Sequence, residues 1–155
     1  MVFKLISEDK YKHITGVAEY MYEHADEFGL SDIKEQLYVV GLLHSVGAIR
    51  MRNKDDKDSV DILRMLNFPQ FYMTIIESNS ICPEEYKKKY GVSDEQIPKA
   101  QILMWKANMI IDFDGNECDI LKRVEQIEKW HIDNGYIDNH SARKTMDWLF
   151  ENGYL

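Results

Sequence analysis

Two segments of the chain, residues 37–43 and 102–110, are apolar on nearly every side when they are drawn as helices. A helix of that kind lies inside a protein and not on its surface. In the other segments apolar residues recur at steps of three and four, and no convincing alternation typical of a strand is found. The sequence therefore predicts an all-α domain, in which two buried central helices are surrounded by amphipathic helices.

Capping and stop signals set the expected helix boundaries. Gly29 ends the first helix, Ser31 is the expected N-cap of the second, and residues 93–96 match a capping box. Residues 50–58 are expected to form a loop, and the pattern over residues 79–91 defines no element. The expected helices cover about residues 11–28, 32–49, 59–67, 69–77, 97–113, 117–133 and 139–151.

The composition limits the partners of the chain. A length of 155 residues predicts a single domain, residues 1–155, and its net charge of −8 disfavours a DNA duplex or an anionic membrane as partner. The two cysteines, Cys82 and Cys118, are too few for a disulfide framework and do not have the CxxC spacing of metal ligands. The first six residues are too short for the apolar region of a signal peptide, and no apolar stretch reaches the ~18–20 residues of a membrane span. We therefore expect a cytoplasmic protein with no membrane contact.

Polar residues inside the predicted core are the candidates for chemistry. His44 shares a helical face with Leu37 and Val40, while His13 borders the apolar stripe of the first helix. Asn108 lies within the second central helix, and Asp112 follows four residues later on the same helical side. Three of them also have a structural explanation. His44 can be a core histidine that is satisfied by a carbonyl, His13 a half-exposed surface histidine, and Asn108 an amide that joins two helices.

The order of these residues resembles that of the HD-domain superfamily. The most specific piece is Gly-Leu-Leu-His-Ser-Val-Gly at residues 41–47, with His13 before it and Asn108 after it. Residues 123–127 also resemble the helix that follows the last aspartate of the family pattern. The resemblance covers about residues 10–135. It implies a helical bundle and metal-dependent hydrolysis of nucleotides or other phosphoesters.

The chain departs from the metal-binding pattern of that superfamily at two positions. The family pattern implies two histidines and two aspartates as ligands, of which His13 and His44 are present, whereas Ser45 and Asn108 stand where the aspartates belong. Hard cations select anionic oxygens, so we expect no metal or only a weakly bound divalent metal, with Asp112 as a substitute ligand. Without a firmly held cation there is no Lewis acid and no activated water.

Three functions remain open at this point. The first is a non-catalytic nucleotide- or protein-binding, regulatory module. The second is a working metal-dependent phosphohydrolase with a rearranged site. The third is a helical interaction scaffold, in which the cavity has filled and the histidines are packing residues. Separately, apolar residues 148–150 could pack on another subunit of a homo-oligomer as easily as on their own core. Arg50 and Arg52 could meet a phosphate, although the aspartates that follow them would offset their charge.

Overall fold

The computed structural model describes residues 7–47, 55–80, 83–90, 95–133, 135 and 142–155. It confirms the all-α prediction, and within these residues the only β-type pairing is an isolated bridge between Ile111 and Glu117. Short 3-10 turns cover Ala25–Phe28, Ser31–Ile33 and Ser78–Ser80. The helices are α1 (Glu8–His24), α2 (Lys34–Leu43), α3 (Asp55–Met65), α4 (Gln70–Glu77), α5 (Pro83–Tyr90), α6 (Gln96–Ile110), α7 (Ile120–Asp133) and α8 (Ala142–Glu151).

The boundaries of α2 and α3 differ from the prediction. Gly29 ends the first helical segment with a left-handed backbone (φ 68°), as predicted. Ser31, however, donates its hydroxyl hydrogen to Asp26 and does not cap α2. The helix α2 ends at Leu43, before the expected residue 49. The expectation that residues 50–58 form a loop is wrong from residue 55 onwards, because α3 begins at Asp55.

The later boundaries also depend on local turns. The stretch 79–91 contains the helix α5. The helix α6 ends at Ile110 and not at residue 113, because Ile111 has an extended backbone (φ −85°, ψ 121°) and pairs with Glu117 in the isolated bridge. Asp119 caps α7 by accepting hydrogen bonds from the N–H groups of Leu121 and Lys122 at 3.0 and 3.3 Å. Residues 93 and 94 of the predicted capping box lie outside the described residues.

The helix α6 lies between two apolar clusters. One face, with Leu103 and Met104, packs into the cluster that α1, α2, α3 and α4 share. Another face, with Trp105 and Met109, packs with α7 and α8. The other predicted central helix, α2, buries Leu37 and Val40, while its remaining apolar side chains are half-buried.

The helix α1 is packed unusually closely against its neighbours. A Cβ atom on Gly41 of α2 would lie 2.5 Å from the Cα atom of Ala18 in α1. A Cβ atom on Gly16 would lie 2.9 Å from the carbonyl oxygen of Gly115, in the loop after α6. These glycines therefore let α1 contact both α2 and the end of α6, where the candidate site lies. None of the helices in the described part of the chain is both long and apolar enough to cross a membrane.

Candidate functional site

His13 lies on α1 and is buried against the end of α6. Only 3% of its surface is exposed, so it lies deeper than the edge of the apolar stripe indicates. Its Nδ1 is 3.0 Å from the carbonyl oxygen of Ile111. Because a carbonyl only accepts hydrogen bonds, Nδ1 carries the hydrogen and donates it. This bond satisfies a carbonyl that the end of α6 leaves without a helical partner.

His44 directly follows the last residue of α2 and is also buried, with 2% exposed. Its Nδ1 donates to the carbonyl oxygen of Gly41 at 2.6 Å. Ser59 of α3 holds this turn, since its hydroxyl donates to the carbonyl oxygen of His44 at 3.0 Å and accepts from the N–H of Gly47 at 2.8 Å. In the neutral form of either histidine, Nε2 is therefore the unprotonated nitrogen.

The structure brings His13, His44 and Asn108 together. The centroids of the two imidazole rings are 6.1 Å apart, with 69° between the ring planes. The side-chain oxygen of Asn108 lies 3.1 Å from Nε2 of His13. The amide nitrogen of Asn108 donates to the carbonyl oxygen of Met104 at 3.0 Å, which fixes the amide with its oxygen toward His13.

His13 is neutral at pH 7. Burial holds its pKa well below the usual range, and the charges of Arg123, His44 and Lys10 lower it further. Asn108 opposes this with a smaller effect, because its side-chain oxygen can accept a hydrogen bond only from the protonated ring. The unprotonated Nε2 then faces the amide oxygen of Asn108, and two lone pairs 3.1 Å apart do not attract each other. The pair therefore needs a donor or a cation beside Nε2.

Arg123 of α7 supplies that donor. Its Nη2 lies 3.4 Å from both ring nitrogens of His13, a long contact through which it donates toward the unprotonated Nε2. Its Nε donates to the main-chain oxygen of Asn108 at 3.0 Å. The guanidinium carbon lies 4.8 Å from the centroid of the Phe113 ring. His13 and Arg123 together thus satisfy carbonyl groups at the carboxyl end of α6.

Sequence reasoning did not identify Arg123 as a site residue. Arg123 entered only as the first of residues 123–127, which resemble a helix of the family. A usable signal was present, because Arg123 falls in line with Ile120 and Ile127 at steps of three and four. A cation within the apolar stripe of an amphipathic helix indicates a buried charge with a specific environment.

The charge of Arg123 is only partly compensated. Only 3% of the residue is exposed, and burial lowers its pKa to about 10, against the opposing effects of Cys118 and Asp112. None of the ion pairs between described residues includes Arg123. Its Nη1 is buried and has no hydrogen-bond partner in the part of the chain that the structure describes.

Asp112 has a different environment from the one predicted. Because α6 ends at Ile110, Asp112 does not share a helical face with Asn108, and that expectation is wrong. One oxygen of its carboxylate accepts hydrogen bonds from the N–H groups of Asp114 and Asn116 at 2.9 and 3.1 Å. This carboxylate therefore stabilises the turn after α6. Its role as a substitute metal ligand stays a prediction.

The remaining predicted site residues are only partly described. Ser45 follows His44 in the turn after α2 and is buried, with 6% exposed. Arg50 and Arg52, the predicted phosphate-binding residues, lie outside the described residues.

The chemistry of these donors fits a hard divalent cation poorly. His13 and His44 offer imidazole nitrogens and Asn108 offers a neutral amide oxygen, whereas Mg²⁺ selects anionic oxygen. Across the described ranges, no three His, Cys, Asp or Glu side chains form a group that could hold a metal ion. The positive charge of Arg123 beside His13 also repels a second cation.

Comparison of the chain with protein-family models, with curated proteins and with solved structures gave no match. The function of the site is therefore inferred from its own chemistry and from the sequence resemblance.

Proposed function

We propose that the chain is a non-catalytic, regulatory binding module related to the HD-domain superfamily, and that its ligand is a nucleotide or another phosphoester. The observation that carries this proposal is the position of Arg123. Its Nη2 lies 3.4 Å from Nε2 of His13, the nitrogen that would otherwise be offered to a metal ion. A guanidinium group can hold an anionic ligand, but it cannot activate a water molecule as a divalent metal does.

The missing carboxylates support the same proposal. With Ser45 and Asn108 in place of the family's aspartates, the donors around His13 and His44 are neutral. Anionic groups are therefore attracted to Arg123 without competition from acidic side chains at those two positions.

One observation favours a working metal-dependent phosphohydrolase as a second candidate. Both His13 and His44 donate Nδ1–H to a main-chain carbonyl oxygen. Metal-binding histidines commonly use their second nitrogen in this way, because the hydrogen bond orients the ring and raises its basicity. On this alternative, a cation would have to displace Arg123 from its contact with His13.

A third candidate, a helical interaction scaffold, is favoured by the hydrogen bonds at the end of α6. His13 and Arg123 both donate to main-chain oxygens there. Satisfying those carbonyl groups would be reason enough to retain both side chains.

A thermal-shift and turnover experiment separates the three candidates. The purified protein is titrated with nucleoside mono- and diphosphates without metal, and hydrolysis is measured with Mg²⁺, Mn²⁺ and Co²⁺. The proposal expects a higher melting temperature with a phosphoester and no turnover, because a ligand that binds the folded state stabilises it. Turnover that is lost in His44→Ala but kept in His24→Ala supports the phosphohydrolase. His24 is the matched control, since it is bonded to Glu27 on the surface at 2.9 Å. If neither response is seen, the scaffold is the better explanation.

A further inference from the structure

Arg123 has one guanidinium nitrogen that the described residues leave without an acceptor. Its Nε is bonded to the main-chain oxygen of Asn108, and Nη2 is directed toward His13. The third nitrogen, Nη1, is buried and has no partner in the described segments. A buried donor on a charged group is costly when it is not hydrogen-bonded, so an acceptor is expected there.

The acidic neighbours of Arg123 do not supply that acceptor. Asp112 affects the guanidinium electrostatically, but one oxygen of its carboxylate is taken by two main-chain N–H groups, and it forms no ion pair with Arg123 within the described residues. Cys118 is the other neighbour that favours the charged arginine. Burial raises the pKa of the Cys118 thiol, so this group is protonated and uncharged at pH 7. Within the described residues, the Arg123 guanidinium therefore has no directly bonded anionic partner.

We propose that Arg123 is the anchor of an anion-binding site, and that an anionic oxygen of a phosphate or carboxylate group accepts a hydrogen bond from its Nη1. This inference rests on the proposed function and names the residue and the chemical group that recognise the ligand. The guanidinium group takes the role that a divalent metal has in a phosphohydrolase, namely to neutralise the anion. It supplies no nucleophile, so the ligand is held and not cleaved.

The anion would reach Arg123 from the side of Asn108 and Phe113. Both residues are half-buried, whereas His13 and His44 are buried. The Phe113 ring lies 4.8 Å from the guanidinium carbon, and its centroid is 6.2 Å from that of His13. Phe113 therefore lies beside both the guanidinium group and the ring of His13.

The test is a titration with inorganic phosphate, in which sodium chloride keeps the ionic strength constant. The melting temperature is measured for the parent protein, for Arg123→Met and for the matched control Arg143→Met. Arg143 is exposed and bonded to Glu128 at 3.0 Å, so the same substitution is made there away from the site. We expect phosphate to raise the melting temperature of the parent and of the control equally. Binding by Arg123→Met should be weaker by about tenfold or more. A second titration with acetate shows whether a carboxylate serves equally well.

The outcomes separate this inference from the proposed function. A phosphate response in Arg123→Met equal to that of the parent overturns the inference, and so does a parent that responds to neither phosphate nor acetate. If AMP stabilises the parent and Arg123→Met equally, Arg123 is not the anchor but the binding module stands. If phosphate binds through Arg123 while AMP and other phosphoesters do not bind, the anchor stands and the proposed function fails. Should Arg123→Met not fold, Arg123→Gln is expected to show the same loss, and an undiminished phosphate response there also overturns the inference.

Discussion

Replacing Arg123 by Met should change the free energy of unfolding at pH 7 by no more than about 1.5 kcal/mol, although the residue is buried and hydrogen-bonded. The pKa of about 10 means that burial disfavours the charged form relative to its usual value near 12.5. At about 1.36 kcal/mol per pH unit, the charge costs the folded state roughly 3 kcal/mol. Removing it recovers that amount, while the lost bond to the Asn108 carbonyl costs about 1.5–3 kcal/mol. The two effects nearly cancel.

The measurement is urea unfolding followed by circular dichroism in a buffer without phosphate. Arg123→Lys keeps a buried charge and loses the bond from Nε, so it should be less stable than Arg123→Met by roughly 2 kcal/mol. Arg143→Met, at an exposed site, should differ from the parent by less than about 0.5 kcal/mol. If Arg123→Met instead loses more than about 3 kcal/mol, its charge is fully compensated in the folded protein, and the reasoning behind an unfilled anion site is refuted.

Three further predictions concern residues of α1, α2 and α6 and the turn after α2. The pKa of His13 is lowered in the folded state, so its neutral form should destabilise nothing above pH 6.5, and the free energy of unfolding should decrease by up to about 1.4 kcal/mol for each pH unit below 6.5. When the free energy of unfolding is measured against pH, His13→Gln should show a smaller decrease in acid, and an unchanged decrease would contradict the assignment. Gly41→Ala should lower the stability by about 1–3 kcal/mol or more, because its Cβ atom would lie 2.5 Å from the backbone of α1; a melting temperature equal to that of the parent would show that the two helices separate freely. In the double variant Ser45→Asp and Asn108→Asp, Mn²⁺ should not raise the melting temperature, since the guanidinium group of Arg123 pairs with the new carboxylates. Mn²⁺ should raise it once Arg123→Met is added. An increase in the double variant alone would show that Arg123 does not block a metal.

The helical spacing of apolar residues was sufficient to predict the fold class. The spacing of apolar residues indicates which side of a helix is buried. Because the segment that forms α6 is apolar on almost every side, its central position could be predicted. The grouping of His13, His44 and Asn108 followed from the order of the motif, and the three side chains lie together in the structure.

The errors lie where tertiary contacts override local signals. Ser31 is a good N-cap residue by type, but it is bonded to Asp26 from the preceding turn. Asp112 was placed on a helix that ends two residues earlier. Arg123 was missed because a charged residue is normally assigned to the solvent side of an amphipathic helix. Its place in the apolar stripe of α7 indicates burial, but its hydrogen-bond partner, a main-chain carbonyl of α6, cannot be inferred from the sequence of α7.

The hydrogen bond from His13 to Ile111 joins groups 98 residues apart, which has a consequence for how the chain folds. Contacts of such long sequence separation form slowly, because the intervening chain must first be brought together. The helices α1 and α2 are neighbours along the chain and can pack before that closure. The cluster around Arg123 is therefore complete only when α1, α6 and α7 have all assembled, and a partly folded chain with only α1 and α2 packed would lack it. An anion bound there would select fully assembled molecules, and its binding would report on the completion of folding.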